Sequence, residues 1–247
     1  MKQARMRWGV TLLVLLVLLG SSPGAHSQEK QLPVGETLEY QVYAKGLPVG
    51  EQTLRIVGER VYQNRPVLEV RMSLKSYAAL AFLFSYEEYN LLYLDWATRT
   101  PVYLHRTIKE QGDHWEEEYH FGAETVEKRV IKAGREPRVR QYEAKHPLLE
   151  SLSLVYYLRQ RPWRQGENQF YYLTNRGPQA VTCKLQGTER IRVLSGHQRA
   201  EVIYDPVSRV TIWFSQDEAV YPLRIKIAAN VGDLTARLVK IGHGPRE

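Results

Sequence analysis

The densest group of residues able to do chemistry is Asp113-His114-Trp115-Glu116-Glu117-Glu118-Tyr119-His120-Phe121. On an extended chain His114, Glu116, Glu118 and His120 share one face, and Trp115, Glu117, Tyr119 and Phe121 share the other. Two imidazoles and two carboxylates on one side make a candidate divalent-metal site. The spacing works against it, because residues two apart on a strand stand about 6.6–7 Å apart and only neighbours can just chelate. The stretch therefore reads as a wet strand face backed by an aromatic one, and no resident metal or other cofactor is expected.

The remaining reactive side chains do not assemble. Asp95, Glu150, Asp205 and Asp217 stand beside strand or helix ends, where carboxylates accept backbone N–H groups. Ser153 and Ser215 lack a Gly-x-Ser-x-Gly setting, and neither GxGxxG nor a phosphate-cradling glycine loop is present. His105, His197 and His243 occur singly, and Cys183 is the one cysteine, so no internal disulfide forms. Val181-Thr182-Cys183-Lys184-Leu185 alternates and places that thiol with the apolar positions. A non-enzymatic protein is expected.

The elements that must position these residues are mostly strands. Period-two alternation marks residues 38–44, 52–57, 67–72, 90–95, 102–109, 114–121 and 125–132. It returns at 169–173, 179–187, 190–194, 200–204, 210–215, 223–227 and 234–241. Turn residues fall between them at Lys45–Gly50 and Gln63–Pro66. The expected fold is mainly β, an antiparallel curved sheet forming a barrel or half-open barrel with one or two short helices. Two segments break the alternation. Ser76–Tyr86, with Ala78-Ala79-Leu80-Ala81-Phe82-Leu83-Phe84, reads as a helical turn against the core, with a lid over a cavity as the alternative. His146–Arg161 reads as one amphipathic helix with Pro147 at its first position.

The amino terminus has its own pattern. Lys2, Arg5 and Arg7 precede the apolar run Val10–Leu19, then small residues and Ala25-His26-Ser27, the order of a secretory signal peptide cleaved before Gln28. The run is shorter than the roughly 20 residues a spanning helix needs. No cysteine at the junction offers lipid attachment, and Arg5 and Arg7 are not adjacent as the twin-arginine route requires. The expected organisation is a signal peptide at 1–27 and one β-rich domain at 28–247. The whole chain carries 34 basic and 27 acidic residues. Removing the three basic residues of the signal leaves 31 against 27, a mild surplus and no nucleic-acid signature. A local basic cluster runs through Lys128, Arg129, Lys132, Arg135, Arg138 and Arg140, read as a solvated turn, with contact to anionic lipid headgroups as the alternative. With one cysteine and no Asn-x-Ser/Thr sequon, the chain fits a bacterial envelope better than a eukaryotic secretory route.

Three stretches also resemble a known family. Val34-Gly35-Glu36-Thr37-Leu38-Glu39-Tyr40 followed by Gly46-Leu47-Pro48-Val49-Gly50, then Glu150–Arg159, then Ile212–Asp217 through Tyr221-Pro222-Leu223-Arg224-Ile225 to Gly232–Leu238, are similar to the bacterial domain of unknown function 3108 family. Asp95 and Pro101 fit the pattern too, Glu150 stands where Asp is common, and Phe121-Gly122 departs from a frequent Phe-Asp. The resemblance implies an exported, β-rich, generally periplasmic protein and brings no catalytic residues. The functional expectation is a carrier or binding protein for a hydrophobic small molecule or lipid in a barrel cavity, with Tyr77, Phe82, Phe84, Tyr156 and Trp213 as candidate ligand contacts. A module binding other envelope proteins is the second reading, and a metal-dependent enzyme working through His114 and His120 the third.

Overall fold

The computed structural model describes residues 32–160, 163, 168–193, 196–229 and 232–244, so the expected signal peptide and cleavage site lie outside the described residues. Strands β1 (Glu36–Ala44), β2 (Leu47–Tyr62), β3 (Arg65–Ser76), β4 (Tyr86–Asp95), β5 (Pro101–Glu110), β6 (Asp113–Phe121), β7 (Thr125–Lys132) and β8 (Arg138–Glu143) form an antiparallel meander. A second meander comprises β10 (Asn168–Thr174), β11 (Gly177–Val193), β12 (Gly196–Asp205), β13 (Val210–Ser215), β14 (Pro222–Ala229) and β15 (Gly232–His243). The two are joined where β1 pairs with β15, giving one 15-stranded sheet whose edges are β8 and the two-residue β9 (Leu148–Leu149). Among the described strands only β9 runs parallel to its neighbour, β10.

The alternation explains the two faces. Glu36, Leu38, Tyr40 and Val42 are buried on β1, and Leu92 and Leu94 on β4. The sheet curls because its ladders carry bulges, among them those at Glu39/Tyr40, Ile56/Gly58, Leu185/Gly187 and Trp213/Phe214, and each bulge bends and twists its strand. Turns at Lys45-Gly46, Gln63-Asn64 and Gln111-Gly112 hold both central residues at positive φ, the two-residue geometry that matches strand twist. Among the described residues no ladder joins β8 to the opposite edge. Instead Tyr142 of β8 reaches across, its Oη donating to the Asn175 carbonyl at 3.5 Å. The result is a half-open barrel.

Inside lies the α-helix α1 (Ser151–Leu158), buried at every residue after Ser151. Its start corrects the expectation of a helix from His146. The chain runs extended through a cis His146–Pro147 bond into Leu148 and Leu149, both buried and paired beside Tyr171 and Tyr172. Glu150 then caps the helix. Leucines on both sides of the boundary blurred the periodicity. Residues 179–187 and 190–194 are not two strands, since one long strand, β11, runs from Gly177 to Val193 and is bent at Gly187. The basic cluster is not a turn alone, because Arg138–Glu143 pairs with β7. Ser76–Tyr86 does not pack on the core. It holds a single 3-10 turn at Ala78–Leu80, with Phe82 81% and Leu83 68% exposed. Among the described residues no helix is long and apolar enough to cross a membrane.

Candidate functional site

Far-apart parts of the chain meet at the end of α1. Arg159, the helix C-cap, donates Nη1 and Nη2 to the two carboxylate oxygens of Glu36 at 2.5 and 2.8 Å, and Nη2 also to the Ala219 carbonyl at 3.1 Å. Both side chains of the ion pair are buried. The guanidinium lies 5.7 Å from the Tyr221 ring centre, and Tyr40 Oη donates to the Pro222 carbonyl at 2.9 Å. Glu36, Arg159 and Tyr221-Pro222 belong to the three stretches that carry the family resemblance, so these stretches converge on an anchor for the internal helix. A guanidinium does not give up its proton at ordinary pH, so Arg159 serves the anchor as a fixed buried charge.

A second polar group lines the interior near the start of α1. Arg106 on β5 places Nε 3.1 Å from Glu88, Nη1 3.6 Å from Glu117 and Nη2 3.7 Å from Glu150. Burial works against its charge, and the Glu88 and Glu150 carboxylates outweigh that and hold its pKa above the ordinary arginine value. Glu117 also accepts from Tyr119 Oη at 2.7 Å and faces Lys128 Nζ at 3.1 Å. Burial would raise Glu117, but Lys128, the Tyr119 hydroxyl and Arg106 together hold its carboxyl below the usual range. Each carboxylate in the group has a bonded or ionic partner, so the group is a network of mutually satisfied charges. The sequence signal was Arg106 in the otherwise apolar inward row Val102, Leu104, Ile108.

The metal candidates keep the shared outer face and lose the geometry. Glu116 Oε2 meets Nε2 of His105 at 3.0 Å, and His120 packs against Tyr103 at 5.1 Å between ring centres. Among the described residues no three His, Cys, Asp or Glu side chains converge on an ion. Tyr103 continues outward into Tyr62 and Tyr93, at 5.4 and 5.8 Å. The ligand candidates do not converge either. Tyr77 Oη accepts from Gln41 at 3.2 Å, Tyr156 is buried beside Arg159, and Trp213 Nε1 donates to Glu189 at 2.7 Å under the Arg224 guanidinium. Phe82 and Phe84 remain on the exposed loop, where Phe84 stacks on Tyr86. That loop is held from behind, since Gln111 N donates to the Ser85 carbonyl at 3.0 Å and its side chain to the Leu83 carbonyl at 3.3 Å.

The acids expected at turns are found there. Asp95 accepts from Ala97 N and Thr98 N, Glu150 from Leu152 N and Ser153 N, Asp205 from Val207 N, and Asp217 from Ala219 N and Val220 N. Cys183 is buried, and burial, reinforced by Asp205, pushes its thiol up and away from the reactive thiolate.

A curled antiparallel sheet around a buried helix defines a β-barrel-like protein. The chain belongs to the family described as a protein of unknown function, DUF3108, whose model matches residues 39–239. No curated protein matches the sequence. Among solved structures it is similar to a β-barrel-like protein of the domain of unknown function DUF1849 from Brucella abortus, at TM-score 0.53 and 8% identity, covering 87% of this chain and 100% of that one. A putative exported protein with a YmcC-like fold from Bacteroides fragilis matches at TM-score 0.34 and 9% identity, covering 86% of this chain and 97% of that one. The hypothetical protein CT021 from Chlamydia trachomatis matches at TM-score 0.31 and 12% identity, covering 83% and 87%. The first likeness shows the fold alone.

Proposed function

We propose that this is an exported, non-enzymatic protein of the cell envelope that engages lipid through one rim of its barrel. The observation that carries the reading is the loop between β3 and β4. Its residues 78–84 contain no charge, and Phe82, Leu83 and Phe84 face solvent. Fully burying a Leu or Phe side chain is worth about 1.5–3 kcal/mol, so the loop gains most by leaving water. Leu47 at the β1–β2 turn, 69% exposed, lies on the same rim, because Tyr77 N donates to the Val49 carbonyl. Export is supported by the order of basic, apolar and small residues at the amino terminus. The non-enzymatic reading rests on the structural partners found for these groups: Glu36 is taken up by Arg159, Glu117 by Lys128 and Tyr119, and burial pushes the Cys183 thiol up, away from the reactive thiolate. Because α1 fills the interior at its end of the barrel, the lipid contact moves from the interior to the rim.

The test is co-sedimentation of the mature protein with phosphatidylethanolamine–phosphatidylglycerol vesicles. Wild type is expected to sediment, and Phe82→Ser with Leu83→Ser to stay in solution with an unchanged denaturation midpoint. Wild type that ignores vesicles, or a double variant that still binds them, overturns the reading. An interaction module is the second reading, favoured by the outward Tyr62, Tyr93 and Tyr103 cluster. In-cell crosslinking from Tyr93 to an envelope protein, without vesicle binding, selects it.

A further inference from the structure

The basic cluster noticed in the sequence takes a shape that the sequence did not give it. On β7 and β8 the register sets Lys128 opposite Arg140, Val130 opposite Arg138 and Val126 opposite Tyr142. Val126 is fully buried, so this row is the concave one. Every charged residue in the row is a cation: Lys128, Lys132, Arg138 and Arg140. The convex row of the same strands is mixed, with Glu127, Arg129 and Glu143. Like charges directly opposite on paired strands are destabilising, and a solvated surface has no reason to confine one sign to one face.

The row lines a solvent-open cavity of about 220 Å³, completed by Arg135, Glu136 and Asn175. Five cations line it against the one carboxylate of Glu136. Lys128 is neutralised by Glu117 at 3.1 Å, and Lys132 rests on the Trp115 ring at 4.8 Å. Among the described residues Lys132, Arg135, Arg138 and Arg140 reach no carboxylate within 4 Å, the limit for an ion pair. Arginine forks suit the paired oxygens of a phosphate.

We infer that this cavity binds a phosphate-type anion, presented by a lipid headgroup or as free phosphate. The inference deepens the lipid reading and rests on it for the headgroup source. The turn joining β7 to β8 lies on the same rim as the apolar loop, since successive strands of the meander alternate direction. One rim therefore offers apolar side chains for acyl chains and a basic cavity for the group that carries their charge.

Calorimetric titration of the mature protein with inorganic phosphate and with monomeric dioctanoyl phosphatidic acid tests it. Wild type is expected to bind at low salt and weaken as ionic strength rises. Arg138→Gln with Arg140→Gln should bind about tenfold more weakly or worse, because charge-assisted hydrogen bonds are lost. Lys132→Gln should weaken binding as well, and Arg129→Gln, on the convex face, should bind as wild type does. Tighter binding of the lipid phosphate supports the cavity as a headgroup site, and equal binding of the two probes supports it as a site for free phosphate. The Phe82→Ser, Leu83→Ser protein should keep its affinity for inorganic phosphate, so loss of the lipid reading and loss of the anion site are separate results. No binding of either probe by wild type, or an equal loss in Arg129→Gln, overturns the inference.

Discussion

Arg159 illustrates what one buried charge demands of its surroundings. Its guanidinium has lost its water and depends on Glu36 and the Ala219 carbonyl for compensation. Removing one partner of such a pair leaves an uncompensated charge and costs about 3–5 kcal/mol, whereas replacing both with apolar groups of similar volume is often close to neutral. Glu36→Gln is therefore expected to lower stability by about that amount, and Glu36→Leu with Arg159→Met to recover most of it. Urea denaturation midpoints at constant slope give the comparison. A double variant no more stable than the single one would show that the pair fixes the geometry of the site instead of merely satisfying its charge.

Helix α1 has eight residues, too few to persist alone in water, so its caps and its packing must hold it. Glu150 accepts from Ser153 N at 2.6 Å and Leu152 N at 2.9 Å, while the Ser153 hydroxyl accepts from Glu150 N at 2.9 Å. Glu150→Ala is expected to cost about 1–2 kcal/mol, as loss of an N-cap does, and Glu150→Asp less, since the shorter acid still caps. Denaturation midpoints of the two variants check this ordering. The same region shows where the sequence was readable. A strand with one dry and one wetter face, such as Leu38–Ala44, announced itself by alternation. Strand β8 did not, because Arg138 and Arg140 point inward among cations and leave no apolar row to detect. The exposed loop was misread because an apolar run signals burial by composition, whereas Phe82 and Leu83 project from a turn between strands. The turn acids were legible, each being set by local chain geometry. Pairing of Glu36 with Arg159 was not, because a contact 123 residues apart leaves no periodic trace.

At the scale of the molecule, the fold is a barrel left unsealed. Strands β1, β2 and β15 have ladder partners on both sides, whereas β8 presents one side to the gap. An unpaired strand edge invites pairing with another chain unless something covers it. Here the cover is Tyr142, whose Oη reaches Asn175 and whose ring lies so near Gly177 that a Cβ there would come within 3.2 Å of it. Both Tyr142 and Asn175 also line the basic cavity, so the seam and the inferred anion site share a wall. Local opening should begin where backbone hydrogen bonds are fewest. Tyr142→Ala is therefore expected to raise amide exchange several-fold in 138–143 and 174–178 while leaving β1 to β3 at the wild-type rate, measured by hydrogen-exchange mass spectrometry. Inorganic phosphate at saturation should slow exchange in 138–143 of wild type, because a ligand that binds only the closed form stabilises it by mass action. A uniform rise across all strands in Tyr142→Ala would mean that the seam is part of the cooperative core and that the barrel opens only by unfolding.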